Sequence, residues 1–195
     1  MEKCIVCLGA TCTHESCLQV HQAEALCHKV SAFLSQSGLS KDSTPVILGG
    51  DFNSYWRKYH SDKFDTLPAG VPHLTSGVYE LLSTGNLDGE HHDHPNQRGR
   101  VLLRHTPVTA CGLKLKSAFS DLHGHEPALT TRTADFEGTL DYIWLSQPHF
   151  KVTGTLPFPF SDDAKLGDIT LAPCPNDSEP SDHLSVTCDV ELLPA

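Results

Sequence analysis

The order of apolar and polar positions predicts one long amphipathic helix between two strands at the start of the chain. Residues 3–10 (KCIVCLGA) form a β-branched, apolar run that is typical of a buried strand. Residues 19–37 then repeat apolar side chains at helical spacing, and Gly38 ends the helix. The positions expected on its buried face are Val20, Ala23, Leu26, Val30, Phe33 and Leu34.

Short apolar runs after residue 44 predict mainly strands. Residues 45–48 indicate a buried central strand, which Gly49 and Gly50 are expected to break just before Asp51. A short helix over 77–83 is expected to end at Gly85. The remaining predicted strands are 113–119, 139–145, 151–155 and 184–192.

Polar stretches rich in glycine, proline and histidine separate these elements and indicate long loops at 55–75, 86–112 and 156–180. Few helices follow residue 85, and strands without covering helices pack sheet on sheet. About six strands are visible, which is few for a closed two-sheet sandwich. The sequence therefore predicts a single α/β domain over 1–195, with loop insertions at 55–75 and 86–112.

Composition and charge narrow the possible functions. The chain has 195 residues, 38% of them hydrophobic, and a formal net charge of -10. That charge argues against nucleic-acid binding through bulk electrostatics, although an acidic site that recruits a cation to hold phosphate stays open. The apolar runs are shorter than the ~20 residues of a membrane helix, and the N-terminus lacks the pattern of a signal peptide.

The cysteines indicate reduced thiols in the cytoplasm or nucleus, because no export signal accompanies them. Cys4, Cys7, Cys12 and Cys17 have a spacing similar to a zinc knuckle. Strand alternation, however, would put the first two on opposite faces. Three isolated cysteines are expected to pack as small apolar residues: Cys111, Cys174 and Cys188.

Three segments place polar residues at the ends of apolar runs: residues 49–54 (GGDFNS), 138–143 (GTLDYI) and 180–185 (PSDHLS). Asp51 and Asn53 have an alternative role in closing a turn. Asp141 lies in an apolar strand and therefore needs a metal or a hydrogen-bonded partner. Asp182 and His183 have an alternative as a surface turn.

Taken together and in this order, these segments resemble the endonuclease/exonuclease/phosphatase superfamily. Within it the chain looks like the deadenylase branch of carbon-catabolite-repression-type, nocturnin-like and angel-like proteins. Further matches are residues 115–118, 133–138 and 174–176, and the resemblance extends from about residue 18 to residue 192. It implies part of a four-layer α/β sandwich, corresponding to the second half of the superfamily domain.

The resemblance implies a metal-dependent 3′–5′ exoribonuclease acting on poly(A) 3′ ends with Mg²⁺, or alternatively Mn²⁺. Asp51 would orient or deprotonate the attacking water, and Asn53 would hold the scissile phosphate. His183 would contact a phosphate oxygen and act in proton transfer or in transition-state stabilisation, with Asp182 as its hydrogen-bond partner. Asp141 would complete the carboxylate cluster, and the metal ligands would be Asp51, Asp141 and His183.

The resemblance also implies substrate contacts: Phe136 would stack on adenine, and His14 would contact phosphate. The family site further uses a Glu in a Gln-Glu-Val-type motif, and no such segment precedes Gly49. Three interpretations stay open: a fragment, a chain that pairs with another polypeptide, or a non-catalytic relative. The implied partners are RNA, a deadenylase complex or the missing N-terminal half, with no membrane contact.

Other features leave alternatives open. Residues 56–59 (WRKY) have the composition of an RNA-stacking loop. Residues 91–94 (HHDH) have the composition of a transition-metal site, and Arg98, Arg100 and Arg104 indicate a local basic patch. The alternative activities are a superfamily phosphodiesterase acting on a nucleotide cofactor or phosphorylated lipid, and a non-catalytic interaction protein.

Overall fold

A computed structural model describes residues 15–59, 67, 69–98 and 107–194, together with the backbone of residues 5–10. Its helices are α1 (Ser16–Gln36), α2 (Gly77–Thr84) and α3 (Ala118–His123). Strands up to residue 109 are β1 (Ile5–Ala10), β2 (Val46–Asp51), β3 (Arg57–Tyr59), β4 (His73–Thr75), β5 (Asn86–Leu87) and β6 (Val108–Thr109). The later strands are β7 (Leu115–Ser117), β8 (Thr131–Arg132), β9 (Glu137–Gly138), β10 (Asp141–Ser146), β11 (Phe150–Thr155) and β12 (Cys188–Leu192).

A four-stranded sheet with the order β1-β2-β10-β7 lies at the centre of the fold. Strands β1 and β2 run parallel, joined by helix α1, whereas β10 is antiparallel to both of its neighbours. Strands β11 and β12 form a separate antiparallel pair. The mixture of helices and strands confirms the α/β class that the sequence predicts.

Helix α1 confirms the predicted amphipathic pattern, with one exception. Val20, Ala23 and Leu34 are buried against the sheet, whereas Phe33 is 54% exposed. At 100° per residue, Phe33 projects about 90° from the centre of the buried stripe, so it points away from the core. The helix ends where predicted, since Gly38 has a positive φ of 66°.

Large side chains of β10 and α2 form the main core. Trp144 and Tyr142 pack with Phe52, and Leu81 and Leu82 from helix α2 are fully buried beside them. Ser76 caps α2 by accepting a hydrogen bond from the backbone N–H of Tyr79, as its position before the helix favours. The core thus fixes helix α2 against the strand that carries Asp141.

Several predicted boundaries are wrong. Strand β2 continues through Gly49 and Gly50 to Asp51, because β1 and β10 pair with it along that whole length. The strand predicted over 113–119 ends at Ser117, and its last residues begin helix α3. The last strand starts at Cys188 instead of Leu184. The segments expected to be loops contain paired strands, β3 with β4 and β5 with β6.

A buried ion pair ties the 86–98 segment to the rest of the domain. Lys58 Nζ lies 2.6 Å from Asp93 Oδ1, and the two side chains are 4% and 1% exposed. Lys58 also donates to the Ser16 hydroxyl, and Asp93 Oδ2 accepts from the backbone N–H of Gly77. Lys58 is therefore a core residue and does not extend into solvent towards RNA.

The histidines of residues 91–94 have structural contacts. His91 Nδ1 accepts from the backbone N–H of Asp93, and His94 Nδ1 accepts from that of Asn96. Burial lowers the pKa of His94, an effect that nearby Glu24 partly opposes. Among the residues that the structure describes, no group of three or more histidine, cysteine, aspartate or glutamate side chains is arranged to hold a metal. A transition-metal site at 91–94 is not what the structure shows.

The cysteines described here are free thiols. Cys17 is buried in helix α1, while Cys4 and Cys12 of the knuckle-like spacing lie outside the described residues. Burial raises the pKa of Cys27 to about 12, so this thiol stays protonated and packs as an apolar group. Within the described ranges, no helix combines the length and apolar character that crossing a bilayer needs.

Candidate active site at the ends of strands β2 and β10

The sheet register brings two carboxylates together. Asp51 is the last residue of β2 and Asp141 is the first residue of β10, and the antiparallel pairing places them directly opposite each other. The ladder continues one step further, since the Phe52 N–H donates to the Leu140 carbonyl at 2.9 Å. Directly opposed residues of an antiparallel pair carry their side chains on the same face. Both carboxylates therefore lie at one edge of the sheet.

Asn53 forms a tight turn around Asp51. Its backbone N–H lies 2.7 Å from Asp51 Oδ1, and its side-chain amide donates to Asp51 Oδ2 at 2.9 Å. Asn53 has a φ of +47°, which asparagine tolerates better than most residues. The Gln19 side chain donates to the Asn53 carbonyl, so helix α1 holds the turn from behind. The turn and the catalytic hypothesis for Asp51 and Asn53 are thus compatible.

Burial raises the pKa of Asp51, and the negative charge of Asp141 raises it further. The hydrogen bonds from Asn53 and the charge of His183 act in the opposite direction. Two carboxylates that oppose each other's ionisation attract a cation, because a positive charge between them removes the repulsion. The electrostatics of this edge therefore favour a bound cation.

Asp141 is held by a network that spans three segments. Its Oδ2 lies 2.8 Å from His183 Nδ1 and accepts from the Thr130 hydroxyl at 2.6 Å. The Thr131 hydroxyl lies 2.9 Å from His183 Nδ1. The same Thr130 hydroxyl oxygen accepts from the backbone N–H groups of Leu140 and Asp141. The partner that a carboxylate in this strand needs is therefore a hydrogen-bonded group of side chains.

The contact between His183 Nδ1 and the Asp141 carboxylate fixes the orientation of the imidazole ring. Burial lowers the pKa of His183, but the hydrogen bond to Asp141 and the negative charges of Asp141, Asp51 and Asp182 raise it overall. A raised pKa keeps the imidazolium form over a wider pH range. The imidazolium can donate a proton or a hydrogen bond to a phosphate oxygen.

Asp182 does not occupy the position expected from the sequence. The structure gives the contact with His183 Nδ1 to Asp141. Asp182 is exposed, and its backbone carbonyl accepts from the Arg132 N–H at 3.1 Å. His183 forms an isolated β-bridge with Thr131 and its Nδ1 is directed at Asp141, and no described hydrogen bond joins the Asp182 carboxylate to the imidazole. The expectation for Asp182 is corrected in this respect.

Sequence reasoning missed Thr130, Thr131 and Gln19. All three are buried polar residues that position the cluster. Threonine pairs are common in strands, and a glutamine in a helix carries no signal of its own. Their proximity to Asp51 and Asp141 follows only from tertiary structure. His14, a predicted phosphate contact, lies outside the described residues.

The donor set can be compared with what magnesium requires. Mg²⁺ is usually held by one or two carboxylates, several waters and substrate phosphates. Asp51 and Asp141 supply two carboxylates at one edge, and the described hydrogen bonds to Asp141 all use Oδ2. His183 Nδ1 is directed at Asp141, so the metal contribution expected from His183 has no support at that nitrogen. The two carboxylates are the ligand type that Mg²⁺ prefers, but with His183 they do not form a three-ligand metal group among the described residues.

A large cavity lies beside this cluster. It has a volume of about 930 Å³ and is lined by residues 55–57, 125–128, 132–139 and 163–166, with Pro173. Strands β8 and β9 connect the two features, since Thr131 contacts His183 while the next residue, Arg132, lines the cavity. Volumes of 300–1,000 Å³ are typical of ligand pockets. Asp51, Asn53, Asp141 and His183 are not among the lining residues, so the cavity adjoins the cluster only through the neighbours Thr131 and Arg132.

Phe136 lines the cavity and packs on Tyr55. The two ring centroids are 5.7 Å apart with an interplanar angle of 31°. The Tyr55 hydroxyl donates to the Glu137 carbonyl at 3.2 Å, and its ring covers Gly138. Tyr55 therefore supports Phe136 from one side and orients the aromatic surface that the cavity presents. The sequence did not single out Tyr55, because tyrosine after a turn has many possible roles.

Replacing Gly138 by alanine is expected to lower the free energy of unfolding by about 1–3 kcal/mol through overpacking. A Cβ atom at Gly138 would lie 2.1 Å from Tyr55 Cε1, so the tyrosine ring must move. Urea denaturation measures the loss. Gly89→Ala is the matched control, since nothing lies within 4 Å of its Cβ position. Equal effects of the two substitutions would show that Tyr55 does not fill this space tightly.

Glu126, at the back of the cavity, is expected to make stability depend on pH. Burial raises its pKa, although hydrogen bonds from Ser117 and Tyr79 oppose the effect. The native state then binds this proton more tightly than the unfolded chain, so the free energy of unfolding falls as pH rises through the ordinary glutamate pKa. Glu126→Gln should remove that fall.

The measurement is urea denaturation at acidic and neutral pH, and the quantity compared is the difference between variant and wild type. That difference should become more favourable to Glu126→Gln as pH rises. Glu191→Gln, on the exposed side of β12, is the control for loss of one carboxylate. A difference that stays constant with pH would contradict the assignment.

Comparisons with known proteins identify the family of this chain. Residues 30–183 match the Endonuclease/Exonuclease/phosphatase family. Mouse 2′,5′-phosphodiesterase 12 is 30% identical over 147 residues, which are 75% of this chain and 19% of that protein. The Xenopus laevis CCR4-NOT transcription complex subunit 6-like-B is 29% identical over 187 residues, covering 90% of this chain and 30% of that protein. The chain thus spans less than a third of the length of these curated relatives.

Solved structures share the fold. The structure of ANGEL2, a 2′,3′-cyclic phosphatase, in complex with adenosine-2′,3′-vanadate, gives a TM-score of 0.62 at 19% identity. The alignment covers 96% of this chain and 57% of the ANGEL2 chain. The human nocturnin catalytic domain gives 0.51 at 21% identity, covering 97% and 47%. The family match and the relatives of the deadenylase branch together show that the chain belongs to the Endonuclease/Exonuclease/phosphatase family.

Proposed function

We propose that the site hydrolyses phosphodiester bonds as a metal-dependent 3′–5′ exoribonuclease that shortens poly(A). The observation that carries the proposal is the cluster of Asp51, Asn53, Asp141 and His183, which three distant segments bring to one sheet edge. Relatives of this chain include phosphodiesterases and a subunit named for the CCR4-NOT complex. Phosphoryl transfer depends on positioning and charge stabilisation, which such a cluster provides.

Each residue has a role that its contacts support. Asp51 orients the attacking water and accepts its proton. Asn53 holds the scissile phosphate through its amide. Asp141 orients His183, which contacts a phosphate oxygen and stabilises the developing charge. Thr130 and Thr131 fix the carboxylate and the imidazole in that arrangement.

The cation proposed for the site is Mg²⁺, with Mn²⁺ as the alternative. Enzymes of this family generally depend on divalent metals. Asp51 and Asp141 would hold the ion, which when bound neutralises charge on the phosphate oxygens. Further ligands would come from water, from substrate or from another polypeptide segment.

The proposal for adenine rests on Phe136. Its ring lines the cavity beside the cluster and is supported by Tyr55. A base stacked on an aromatic side chain gains about 1–3 kcal/mol. Stacking alone is tolerant of base identity, so a preference for adenine would need further contacts with the walls of the cavity.

The test is the shortening of a 5′-labelled oligo(A) by the purified chain, followed on sequencing gels. Stepwise loss of 3′ nucleotides with Mg²⁺ and none with EDTA is expected. Oligo(A) should be degraded faster than oligo(C) or oligo(U). Absence of products at high protein concentration would contradict the proposal for this chain and favour a non-catalytic interaction protein. Release of product only from a dinucleotide cofactor or a phosphorylated lipid would favour the second enzymatic candidate.

The wider setting is also a proposal. The sheet would be one of two central sheets in a four-layer α/β sandwich, which agrees with the roughly half coverage of the related structures. Ile47 and Ile143, on the face away from α1, are partly buried against the β11–β12 pair. We expect action in the cytoplasm or nucleus, on RNA and together with deadenylase-complex subunits or the remaining part of the domain.

A further inference from the structure

Arg57 lines the cavity and has a fixed guanidinium. It is the first residue of β3, paired with Thr75 of β4, and it follows Asp51 by six positions. Its Cζ lies 4.5 Å from the centroid of the Trp56 ring. Trp56 in turn packs on Tyr79, with ring centroids 6.4 Å apart. Stacking on a supported tryptophan reduces the freedom of the arginine and orients its hydrogen-bonding edge.

The polar requirement of this guanidinium is not met by the described chain. Arg57 Nε is shielded from solvent and has no hydrogen-bond acceptor among the described residues. Within the same ranges, no carboxylate lies within ion-pair distance of Arg57. A buried donor without an acceptor costs free energy, and a bound water or ion is one of the explanations for such a group in a native protein.

Of the other cations near the cavity, two are already engaged, and Lys165, which also lines it, is exposed to solvent. Arg132 donates to the Ile169 carbonyl at 3.0 Å and lies 3.5 Å from Glu137. Lys58, the residue after Arg57, is paired with Asp93 on the core side. Arg57 differs from Arg132 and Lys58 in having a shielded donor, Nε, with no acceptor among the described residues.

The cavity carries charge of both signs, so net attraction does not define its ligand. Asp135 and Asp163 also line it, while burial raises the pKa of Glu126 and favours its neutral form. Recognition has to come from geometry. A planar guanidinium binds the paired oxygens of a phosphate through two parallel hydrogen bonds, which no neutral base reproduces.

We propose that Arg57 binds a second phosphate of the substrate, distinct from the phosphate that is cleaved at Asp51 and His183. In RNA this would be the phosphodiester adjacent to the scissile bond. In a small nucleotide it would be a terminal phosphate. The assignment rests on the proposed function for the position of the scissile phosphate, whereas binding at Arg57 requires no cleavage.

The test measures equilibrium binding by calorimetry in EDTA, so that hydrolysis does not interfere. The probes are ApApA and the same trinucleotide with a neutral methylphosphonate at its 5′ linkage. The wild-type chain is expected to bind ApApA about tenfold more tightly than the neutral analogue. Arg57→Gln should bind the two equally. Lys151→Gln removes one positive charge from the exposed face of β11 and should discriminate like the wild type.

If Arg57→Gln still binds ApApA more tightly than the neutral analogue, the proposal is overturned. If Arg57→Gln does not fold, Arg57→Lys is tested instead, because lysine keeps the positive charge but cannot form two parallel hydrogen bonds. Loss of at least half the discrimination then supports the proposal, and full retention contradicts it. Adenosine 3′,5′-bisphosphate and adenosine 5′-monophosphate form the second arm. An Arg57-dependent preference for the bisphosphate without one for ApApA identifies a small nucleotide as the source of the phosphate.

The outcomes separate the two hypotheses. Failure of oligo(A) shortening with Arg57-dependent binding intact removes the exoribonuclease and keeps the phosphate subsite. Shortening that proceeds while the charge of the 5′ linkage has no effect on binding removes the subsite and keeps the enzyme.

Discussion

Asp141→Asn is expected to lower the rate of phosphodiester hydrolysis by about 10²–10⁴-fold, the range for loss of an oriented proton-transfer group. Asparagine keeps the shape of the side chain but loses the charge that holds His183 at 2.8 Å and raises the pKa of its imidazole. It also weakens the hydrogen bond from the Thr130 hydroxyl. The effect should appear mainly in kcat, measured on oligo(A) at saturating Mg²⁺.

Asp182→Asn is the matched control, because it removes the same charge one residue before His183. Asp182 is exposed and acts on His183 only as a distant charge, so the rate should change by no more than about threefold. Equal losses in the two variants would show that both carboxylates serve His183. A larger loss in Asp182→Asn would restore the role expected for Asp182 from the sequence.

Lys58→Met is expected to lower the free energy of unfolding by about 3–5 kcal/mol, because it leaves the Asp93 carboxylate buried without its cation. The two side chains are 4% and 1% exposed and 2.6 Å apart. Asp93 would keep only backbone partners such as the Gly77 N–H at 2.7 Å. Urea denaturation gives the change, and the midpoint should fall without a change in slope.

Lys116→Met is the control, since Lys116 forms an ion pair of nearly the same length with Asp121, 2.7 Å, on the surface. Exposed pairs contribute about 0–1 kcal/mol, so this variant should be close to wild type. A comparable loss in both variants would mean that burial does not determine the strength of the Lys58–Asp93 pair.

The sequence predicted the elements better than their contacts. Helix α1, helix α2 and strand β10 follow from apolar periodicity and capping residues, and all three are confirmed. The extension of β2 through Gly49 and Gly50 was not predictable, because it depends on pairing with strands on both sides. The sequence places Lys58 in a loop, since lysine is seldom buried and its partner Asp93 lies 35 positions away.

The candidate site shows the same division. Asp51, Asn53 and His183 were identified from motifs, and the structure brings them to one edge of the sheet. The sequence predicts Asp182 as the partner of His183, whereas Asp141 takes that contact from a strand 42 positions away, which adjacency in sequence does not reveal. In the sequence, Thr131 and Tyr55 look like ordinary strand and turn residues. Only the tertiary structure reveals that Thr131 supports His183 and that Tyr55 supports Phe136.

The opposition of Asp51 and Asp141 across the β2–β10 ladder makes the site sensitive to strand alignment. Side chains alternate along a strand, so a shift of one residue would send Asp141 to the other face of the sheet and separate it from Asp51. Changes in the length of surface loops need not disturb that alignment as long as the ladder forms. Engineered insertions of a peptide tag at residue 89 or 177 should therefore preserve the carboxylate pair, whereas a single-residue deletion within residues 141–146 should destroy it.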